Sequence, residues 1–211
     1  NPPLVRMTAA LPVLAAIPET DWQGYWAAPG SRPEWIIGQD LIASNQDWAF
    51  LYFSWSRWAC IPFCLMGAYV CWRWARQLYG KAAGVLAMGL WCLSPNVIAW
   101  GSTICPDAPA AALGVAACYV FWRWLRSPTW DGVIVAGVAL GIAELAKTTW
   151  IVLFGVWPLV WIVWRWSRWD EMNVRERRRN LGQMALIVGL SVFVVNLGYG
   201  FEGSFKRLGD Y

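Results

Sequence analysis

Three charged residues stand where they could take part in chemistry: Arg57, Asp107 and Lys147. Arginine and lysine can hold a phosphate group and stabilise the negative charge that builds on it as it leaves. A carboxylate can take the proton from an attacking hydroxyl. The chain has no histidine, which excludes a Ser-His-Asp triad, a Cys-His dyad and any histidine-ligated metal. Carboxylates, lysines and arginines must therefore carry any acid–base or phosphate chemistry.

Each of these residues also has a purely structural interpretation. Asp107 lies two residues before Pro109, a spacing that suits the N-cap of a helix. Arg57 could extend its side chain to the lipid headgroups. Lys147 follows Glu144 by three residues, which permits an ion pair on one helix face. Both kinds of interpretation stay open for all three residues at this point.

The composition is that of an integral membrane protein. Of the 211 residues 58% are apolar and only 14% are charged, and 19 are tryptophan. The net charge of +4 is too small and too scattered for a nucleic-acid-binding protein. The six cysteines form no CxxC pair and lie in or beside apolar stretches, so they are interpreted as small buried apolar residues. We therefore expect no metal site, no cofactor and no nucleic-acid partner.

The apolar stretches predict an all-α, polytopic transmembrane bundle. About 20 apolar residues in a helix cross a bilayer, and somewhat fewer suffice where the bilayer adapts. The fourth and fifth stretches are short and meet near Lys147, as a helical hairpin or as one long kinked helix. About six spans are predicted: Trp55–Trp74, Ala82–Trp100, Ala108–Trp124, Gly132–Ala146, Thr149–Trp166 and Met184–Gly200.

The basic residues predict which side of the membrane each connection occupies. Three connections, residues 72–81, 122–131 and 164–183, lie on one side if six spans are present, and that side should be cytoplasmic. A Trp-Arg-Trp triplet, centred on Arg73, Arg123 or Arg165, closes each span that enters that side and is interpreted as an interfacial anchor. The three connections contain 11 of the 17 basic residues: Arg73, Arg76, Lys81, Arg123, Arg126, Arg165, Arg168, Arg175, Arg177, Arg178 and Arg179.

Three regions follow from these patterns. Residues 1–54 are predicted to be an external region in which Leu4–Ile17, interrupted by Pro12, lies along the membrane surface as a helix. Residues 55–200 form the transmembrane bundle, and residues 201–211 begin a further external segment. Because the chain begins with Asn1 and an external N-terminus needs a preceding span, we expect it to be a fragment.

Several local patterns along the chain together resemble the lipid-carrier-dependent GT-C glycosyltransferases, which include the protein O-mannosyltransferases and the aminoarabinose transferases. Arg57 resembles the arginine that opens the family's second transmembrane helix, and Asp107 resembles the aspartate of its second external loop. The other matching pieces, in chain order, are Asn1-Pro2-Pro3-Leu4, Leu78-Tyr79-Gly80-Lys81-Ala82-Ala83, Leu93-Ser94-Pro95-Asn96, Asp107-Ala108-Pro109, Leu140-Gly141-Ile142-Ala143 and Lys147-Thr148.

The resemblance implies an inverting transfer of a sugar from a polyprenyl-phosphate carrier to a protein, lipid or glycan acceptor on the external face. It places the enzyme in a multi-pass arrangement in a cell membrane, expected to be a bacterial inner membrane. Asp107 becomes the candidate catalytic residue, and Arg57 and Lys147 the candidate ligands of the lipid phosphate. The family's catalytic base precedes its Pro-Pro motif, here Pro2 and Pro3, so the 211 residues alone are expected to be inactive.

Two other classes of function compete with the enzyme. A membrane transporter or lipid flippase would also need intramembrane charges, but would place them near the bilayer midplane in repeated halves. A non-catalytic membrane scaffold would leave Arg57, Asp107 and Lys147 unrelated in space. Convergence of these three side chains around one outward-facing cavity would favour the enzyme.

Overall fold

The described part of the chain is helical throughout, as the sequence predicts. The structure, a computed structural model, describes residues 2–22, 25, 33–166, 173–202 and 204. Within these ranges a short 3₁₀ helix, Thr148–Val152, separates α7 from α8. The α-helices are α1 (Leu4–Ala15), α2 (Pro33–Trp58), α3 (Ile61–Tyr79), α4 (Lys81–Cys92), α5 (Pro95–Trp100), α6 (Asp107–Arg126), α7 (Trp130–Ala146), α8 (Leu153–Trp166) and α9 (Val174–Gly198).

Three segments are long and apolar enough to cross a membrane: α6, the continuous stretch Thr148–Trp166 and α9. They correspond to the third, fifth and sixth predicted spans. The first predicted span is interrupted where α2 ends and α3 begins, and the second is divided between α4 and α5 in front of Pro95. Helix α7 has only 17 residues. Six spans therefore remain a prediction, whereas the described residues contain three helices that are long and apolar enough to cross a membrane.

Helices α6 and α7 are antiparallel and form the centre of the bundle. A Cβ built at Gly132, near the start of α7, would lie 3.3 Å from Trp124 Cδ1, near the end of α6. At the opposite end, Lys147 meets Asp107. Leu140 on α7 is fully buried. Because two antiparallel helices run the length of the bundle, the bundle has two distinct ends, which we call the Lys147 end and the Arg126 end.

Helix α9 packs closely against α7 through glycines. A Cβ built at Gly137 would lie 2.9 Å from Ile187 O, and one at Gly141 would lie 2.6 Å from the Cβ of Val194. Small residues four apart let helix backbones approach in a membrane, where apolar burial gives little drive for association. The two glycines therefore fix the spacing between α7 and α9.

The chain reverses direction at Lys147, so the hairpin alternative is the one observed. Helix α7 ends at Ala146, and Lys147 is extended (φ −158°, ψ 124°). Helix α8 then returns along α6: the rings of Phe121 and Trp157 stack with centroids 4.2 Å apart. The hairpin places the end of α7 beside the beginning of α6.

The N-terminal region contains more helix than the sequence analysis predicted. Helix α1 matches the predicted surface helix and buries Val5 and Ala9, while its other side is exposed. Helix α2 was missed; it begins at Pro33, bends at Gln46 (φ 33°, ψ −104°) and crosses the predicted boundary between residues 54 and 55. The external location of this region stays a prediction. Most of residues 201–211 lies outside the described residues.

Basic side chains from the predicted cytoplasmic connections meet at the Arg126 end. Arg73 Nε donates to the hydroxyl of Tyr119 on α6 at 3.0 Å. An Nη of Arg165 donates to the carbonyl of Leu125, also on α6, at 3.3 Å. The grouping agrees with the charge pattern, and the side of the membrane that this end faces stays a prediction.

Candidate functional site

Asp107 and Lys147 form an ion pair at the Lys147 end. Lys147 Nζ lies 2.5 Å from Asp107 Oδ1, and the two side chains are 40% and 51% exposed. Asp107 is the first residue of α6 and makes no capping hydrogen bond with its side chain, so the N-cap interpretation is wrong. A negative charge in the first turn still suits the positive end of the helix dipole. The sequence analysis singled out both residues but did not predict that they pair.

The other oxygen of the Asp107 carboxylate is also engaged. Cys105 Sγ donates to Asp107 Oδ2 at 3.3 Å. Burial raises the pKa of the Cys105 thiol, which keeps its proton available for this bond. The hydrogen bond with Asp107 raises the pKa of Lys147, so Lys147 is a firmly charged cation. The pair therefore consists of the charged ammonium group of Lys147 and the carboxylate of Asp107, each of whose oxygens accepts a hydrogen bond.

The predicted alternative partner of Lys147 does not bind it. Glu144 is 6% exposed, and its Oε1 has no hydrogen-bond partner among the described residues. The i,i+3 rule applies within a continuous helix, whereas α7 ends at Ala146 and the extended backbone at Lys147 directs that residue elsewhere. The self-neutralising Glu144–Lys147 pair is therefore wrong.

Arg57 lies near the same end, beside the segment that leads into α6. Its Nε donates to the carbonyl of Ser102 at 2.8 Å. Arg57 also lines an open cavity of about 490 Å³ together with Trp100, Thr103, Ile104 and Cys105. Within the described ranges Arg57 forms no ion pair, so its charge is free to attract an anion.

Cys105 connects the two parts of the candidate site. It lines the cavity with Arg57 and donates to Asp107, which in turn binds Lys147. The structure thus brings Asp107 and Lys147 into direct contact. Arg57 lines the cavity, whose lining includes neither Asp107 nor Lys147, and it is connected to the pair only through the segment 102–107. From the sequence, Cys105 was interpreted only as one of six small apolar cysteines; its position two residues before Asp107 was the available signal.

Trp150 determines where the segment after Lys147 lies. Its Nε1 donates to the carbonyl of Ala110 on α6 at 3.0 Å. A Cβ at Gly114 would lie 2.0 Å from Trp150 Cζ2, so only glycine leaves room for the indole. Lys147 is therefore held by a helix end on one side and by an anchored 3₁₀ turn on the other.

The Pro-Pro motif stands at the start of α1. Pro3 precedes the first residue of that helix, Leu4, and adopts a helical backbone (φ −83°, ψ −23°). Helix α1 packs against α2 and α7. Pro2 and Pro3 are described, whereas Asn1 lies outside the described residues. Their predicted role as a motif stays a prediction.

Comparison with known proteins identifies the family. The family model of dolichyl-phosphate-mannose-protein mannosyltransferases matches residues 43–199, a range that includes Arg57, Asp107 and Lys147. Neither a search of curated proteins nor a search of solved structures gave a match. The family is one of membrane glycosyltransferases in the GT-C superfamily, which agrees with the apolar helices. Because the match covers about three quarters of its residues, the chain belongs to the dolichyl-phosphate-mannose-protein mannosyltransferase family.

Proposed function

We propose that the protein transfers a sugar from a polyprenyl-phosphate carrier to a protein, lipid or glycan acceptor on the external face of the membrane. Family membership supports a glycosyl transfer. The observation that carries the finer proposal is the juxtaposition of the Asp107–Lys147 pair with the cavity that Arg57 lines. Arg57 lines the cavity, and Lys147 is connected to it through Asp107 and Cys105. Two cations in this arrangement suit a phosphate-linked donor, because negative charge grows on the leaving phosphate.

In this proposal Lys147 and Arg57 bind the lipid phosphate. Lys147 supplies a compact charge, and Arg57 supplies planar N–H donors that match phosphate oxygens. The hydrogen bond from Arg57 Nε to Ser102 fixes the guanidinium while its terminal nitrogens point to no acidic partner within the described ranges. The donor phosphate would then lie between the two cations.

Asp107 orients the acceptor and keeps Lys147 in place. Both of its oxygens already accept a hydrogen bond, from Lys147 and from Cys105. A carboxylate so occupied is a weak base, although each oxygen keeps a second lone pair for the acceptor hydroxyl. Deprotonation of the acceptor is thus assigned to another carboxylate.

The arrangement in the membrane is part of the same proposal. We place the protein as a multi-pass enzyme in a bacterial inner membrane, with the Arg126 end cytoplasmic and the Lys147 end external. The charged pair lies at the ends of α6 and α7 and not at their middle. A transporter or flippase would place such charges near the bilayer midplane, so this position supports the enzyme.

The test is sugar transfer in membranes that contain the full-length protein with Lys147→Ala, because the 211 residues alone are expected to be inactive. Loss of one preorganised cation at the leaving phosphate should slow transfer by about 10²-fold or more. Lys81→Ala is the matched control, because Lys81 is exposed at the beginning of α4, away from the pair. Equal transfer by Lys147→Ala and Lys81→Ala, at equal protein level, would contradict the proposal.

A further inference from the structure

A second charged cavity lies at the Arg126 end, away from the proposed transfer site. It has a volume of about 580 Å³ and lies between the end of α6 and the beginning of α7. Two arginines, Arg123 and Arg126, line it together with a single carboxylate, Asp131. Neither arginine forms an ion pair in the described part of the chain, so the cavity carries uncompensated positive charge.

Aromatic rings hold the two arginines in position. The Cζ of Arg126 lies 5.0 Å from the centre of the Trp122 ring, and that of Arg123 lies 5.9 Å from the centre of the Tyr119 ring. The rings of Tyr119 and Trp122 are themselves stacked, with centroids 6.1 Å apart. A guanidinium over an aromatic face keeps its in-plane N–H donors available for an anion. The arginines are therefore ordered before any ligand arrives.

Hydrogen bonds fix the aromatic platform from the side of α3. Arg73 Nε donates to the Tyr119 hydroxyl at 3.0 Å, and that hydroxyl donates to Gln77 Oε1 at 3.2 Å. Gln77 also lines the cavity. Helix α3 thus contributes to the cavity and to the position of Tyr119, which supports Arg123.

Further donors surround the cavity. Trp124 lines it and is 1% exposed, and its Nε1 has no hydrogen-bond partner among the residues described. Cδ1 of this indole lies beside Gly132, since a Cβ there would be 3.3 Å from it. Gly132 belongs to the first turn of α7, where its own N–H donates to Thr129 Oγ1 at 3.1 Å and the helix dipole favours an anion. Two arginines that share the cavity with one carboxylate, at the positive end of a helix dipole, indicate that an anion completes the site.

The depth of the cavity indicates which anion it takes. Arg123 and Arg126 stand in the last turn of α6, one of the helices long and apolar enough to span a membrane. Trp130, at the start of α7, is 55% exposed, as expected for an aromatic residue at the headgroup level. Basic pockets between membrane helices at this level are typical binding sites for anionic lipid headgroups.

We infer that the cavity between α6 and α7 binds the phosphate of an anionic phospholipid headgroup, with Arg123 and Arg126 as its principal ligands. The inference does not depend on the proposed transfer reaction, because the cavity lies at the opposite end of α6 and α7 from Lys147.

The test measures lipid binding to the purified protein in neutral detergent by native mass spectrometry, with the unfolding midpoint as a second readout. Phosphatidylglycerol should bind and raise the midpoint, and phosphatidylcholine should do neither. Arg123→Gln together with Arg126→Gln should weaken phosphatidylglycerol binding on the order of tenfold or more. The matched control, Arg175→Gln with Arg178→Gln, removes the same charge from exposed positions at the beginning of α9 and should change binding less than about twofold.

Competition with soluble anions distinguishes a site for a lipid phosphate from a site for a free phosphate. Inorganic phosphate and glycerol 3-phosphate, at the concentration of the lipid, should neither bind measurably nor displace it. Displacement by either would show a site for soluble phosphates and overturn the lipid assignment. Equal binding of phosphatidylcholine, or equal weakening in the Arg175/Arg178 control, would overturn the site itself. If the double glutamine variant does not fold, the variant with Arg123→Lys and Arg126→Lys replaces it. The lysines keep the positive charge but lack the planar N–H donors of arginine. Unchanged lipid binding in this variant would exclude the two arginines as ligands.

Discussion

Lys147 Nζ lies 2.5 Å from Asp107 Oδ1, so the residue that follows α7 is joined to the first residue of α6. The two residues are separated by two helices in sequence and meet only because those helices are antiparallel. Both are also positioned by neighbours, Asp107 by Cys105 and Lys147 by the anchored turn that follows it.

Asp107→Asn should reduce sugar transfer much more than it reduces stability. The amide keeps the size and one acceptor oxygen but cannot neutralise Lys147. Because both side chains are about half exposed, the pair should contribute less than about 1 kcal/mol to the free energy of unfolding. We expect transfer to fall about 10-fold or more. The measurement is the initial transfer rate in membranes beside the unfolding midpoint of the same variant.

A double-mutant cycle separates pairing from independent roles. If Asp107 acts partly by holding Lys147, the rate losses of Asp107→Asn and Lys147→Gln should be less than additive in free energy. Strict additivity would show that the contact between the two residues has no part in transfer.

Arg57→Ala should weaken donor binding, because it removes a cation from the cavity of about 490 Å³. We expect the KM for the lipid-linked donor to rise about 10-fold, and Arg57→Lys to restore only part of the loss, since lysine lacks the planar donors. Donor titrations at fixed acceptor give the measurement. A KM unchanged in both variants would assign Arg57 to contact with lipid headgroups.

Gly141→Ala should destabilise the bundle by about 1–3 kcal/mol through overpacking between α7 and α9. The added Cβ would lie 2.6 Å from Val194 Cβ and 2.8 Å from Ser191 O, and the second contact is with backbone, which cannot move aside cheaply. Gly189→Ala is the matched control, because a Cβ there meets nothing within 4 Å. The control should be neutral or slightly stabilising in a denaturant titration in detergent. Equal midpoints for the two variants would show that α7 and α9 are not closely packed.

The stability supplied by the ion pair should disappear only in strong alkali. The pKa of Lys147 is raised above its ordinary value of 10.5 by its bond with Asp107. Because the pKa of Lys147 is higher in the folded than in the unfolded state, the ion pair contributes fully to the free energy of unfolding at pH values below the ordinary pKa. That contribution is lost as the pH rises through the raised pKa of the folded state. The difference in unfolding midpoint between the unaltered protein and Lys147→Gln should therefore be constant from neutral pH to about 10 and shrink above it. A difference that shrinks already near neutral pH would contradict this assignment.

The sequence predicted the helical class because apolar stretches are a strong local signal, and the roles of Arg57, Asp107 and Lys147 stay predictions. Apolar stretches and basic connections were sufficient to place Asp107 and Lys147 at the same end of the bundle. The partner of Lys147 was predicted wrongly because the i,i+3 rule assumes that the helix continues, and α7 stops one residue earlier, at Ala146. A helix end is fixed by tertiary contacts, here those of Trp150 with α6.

Helix α2 was missed for a different reason. Its residues include Glu34, Asp40 and Asp47 among the apolar ones, so the segment lacks the continuous hydrophobicity that identified the spans. The backbone at Gln46 has a positive φ and divides the helix in two, so the apolar residues of α2 do not follow one helical repeat along its whole length. Side-chain bonds between Asn45 and the backbone of Glu19 help to hold the bend, and they join residues too far apart for a local pattern to show.

The contact between Trp150 and Gly114 makes the position of the site's lysine depend on a residue in the interior of α6. Any side chain at position 114 would displace the indole, and with it the turn that begins one residue after Lys147. A substitution at Gly114 would therefore displace the ammonium group of Lys147, although every residue proposed to contact the donor would be unchanged. Under the proposed function, a variant at Gly114 would thus lower transfer by geometry alone, at a residue that is not among the proposed ligands of the donor.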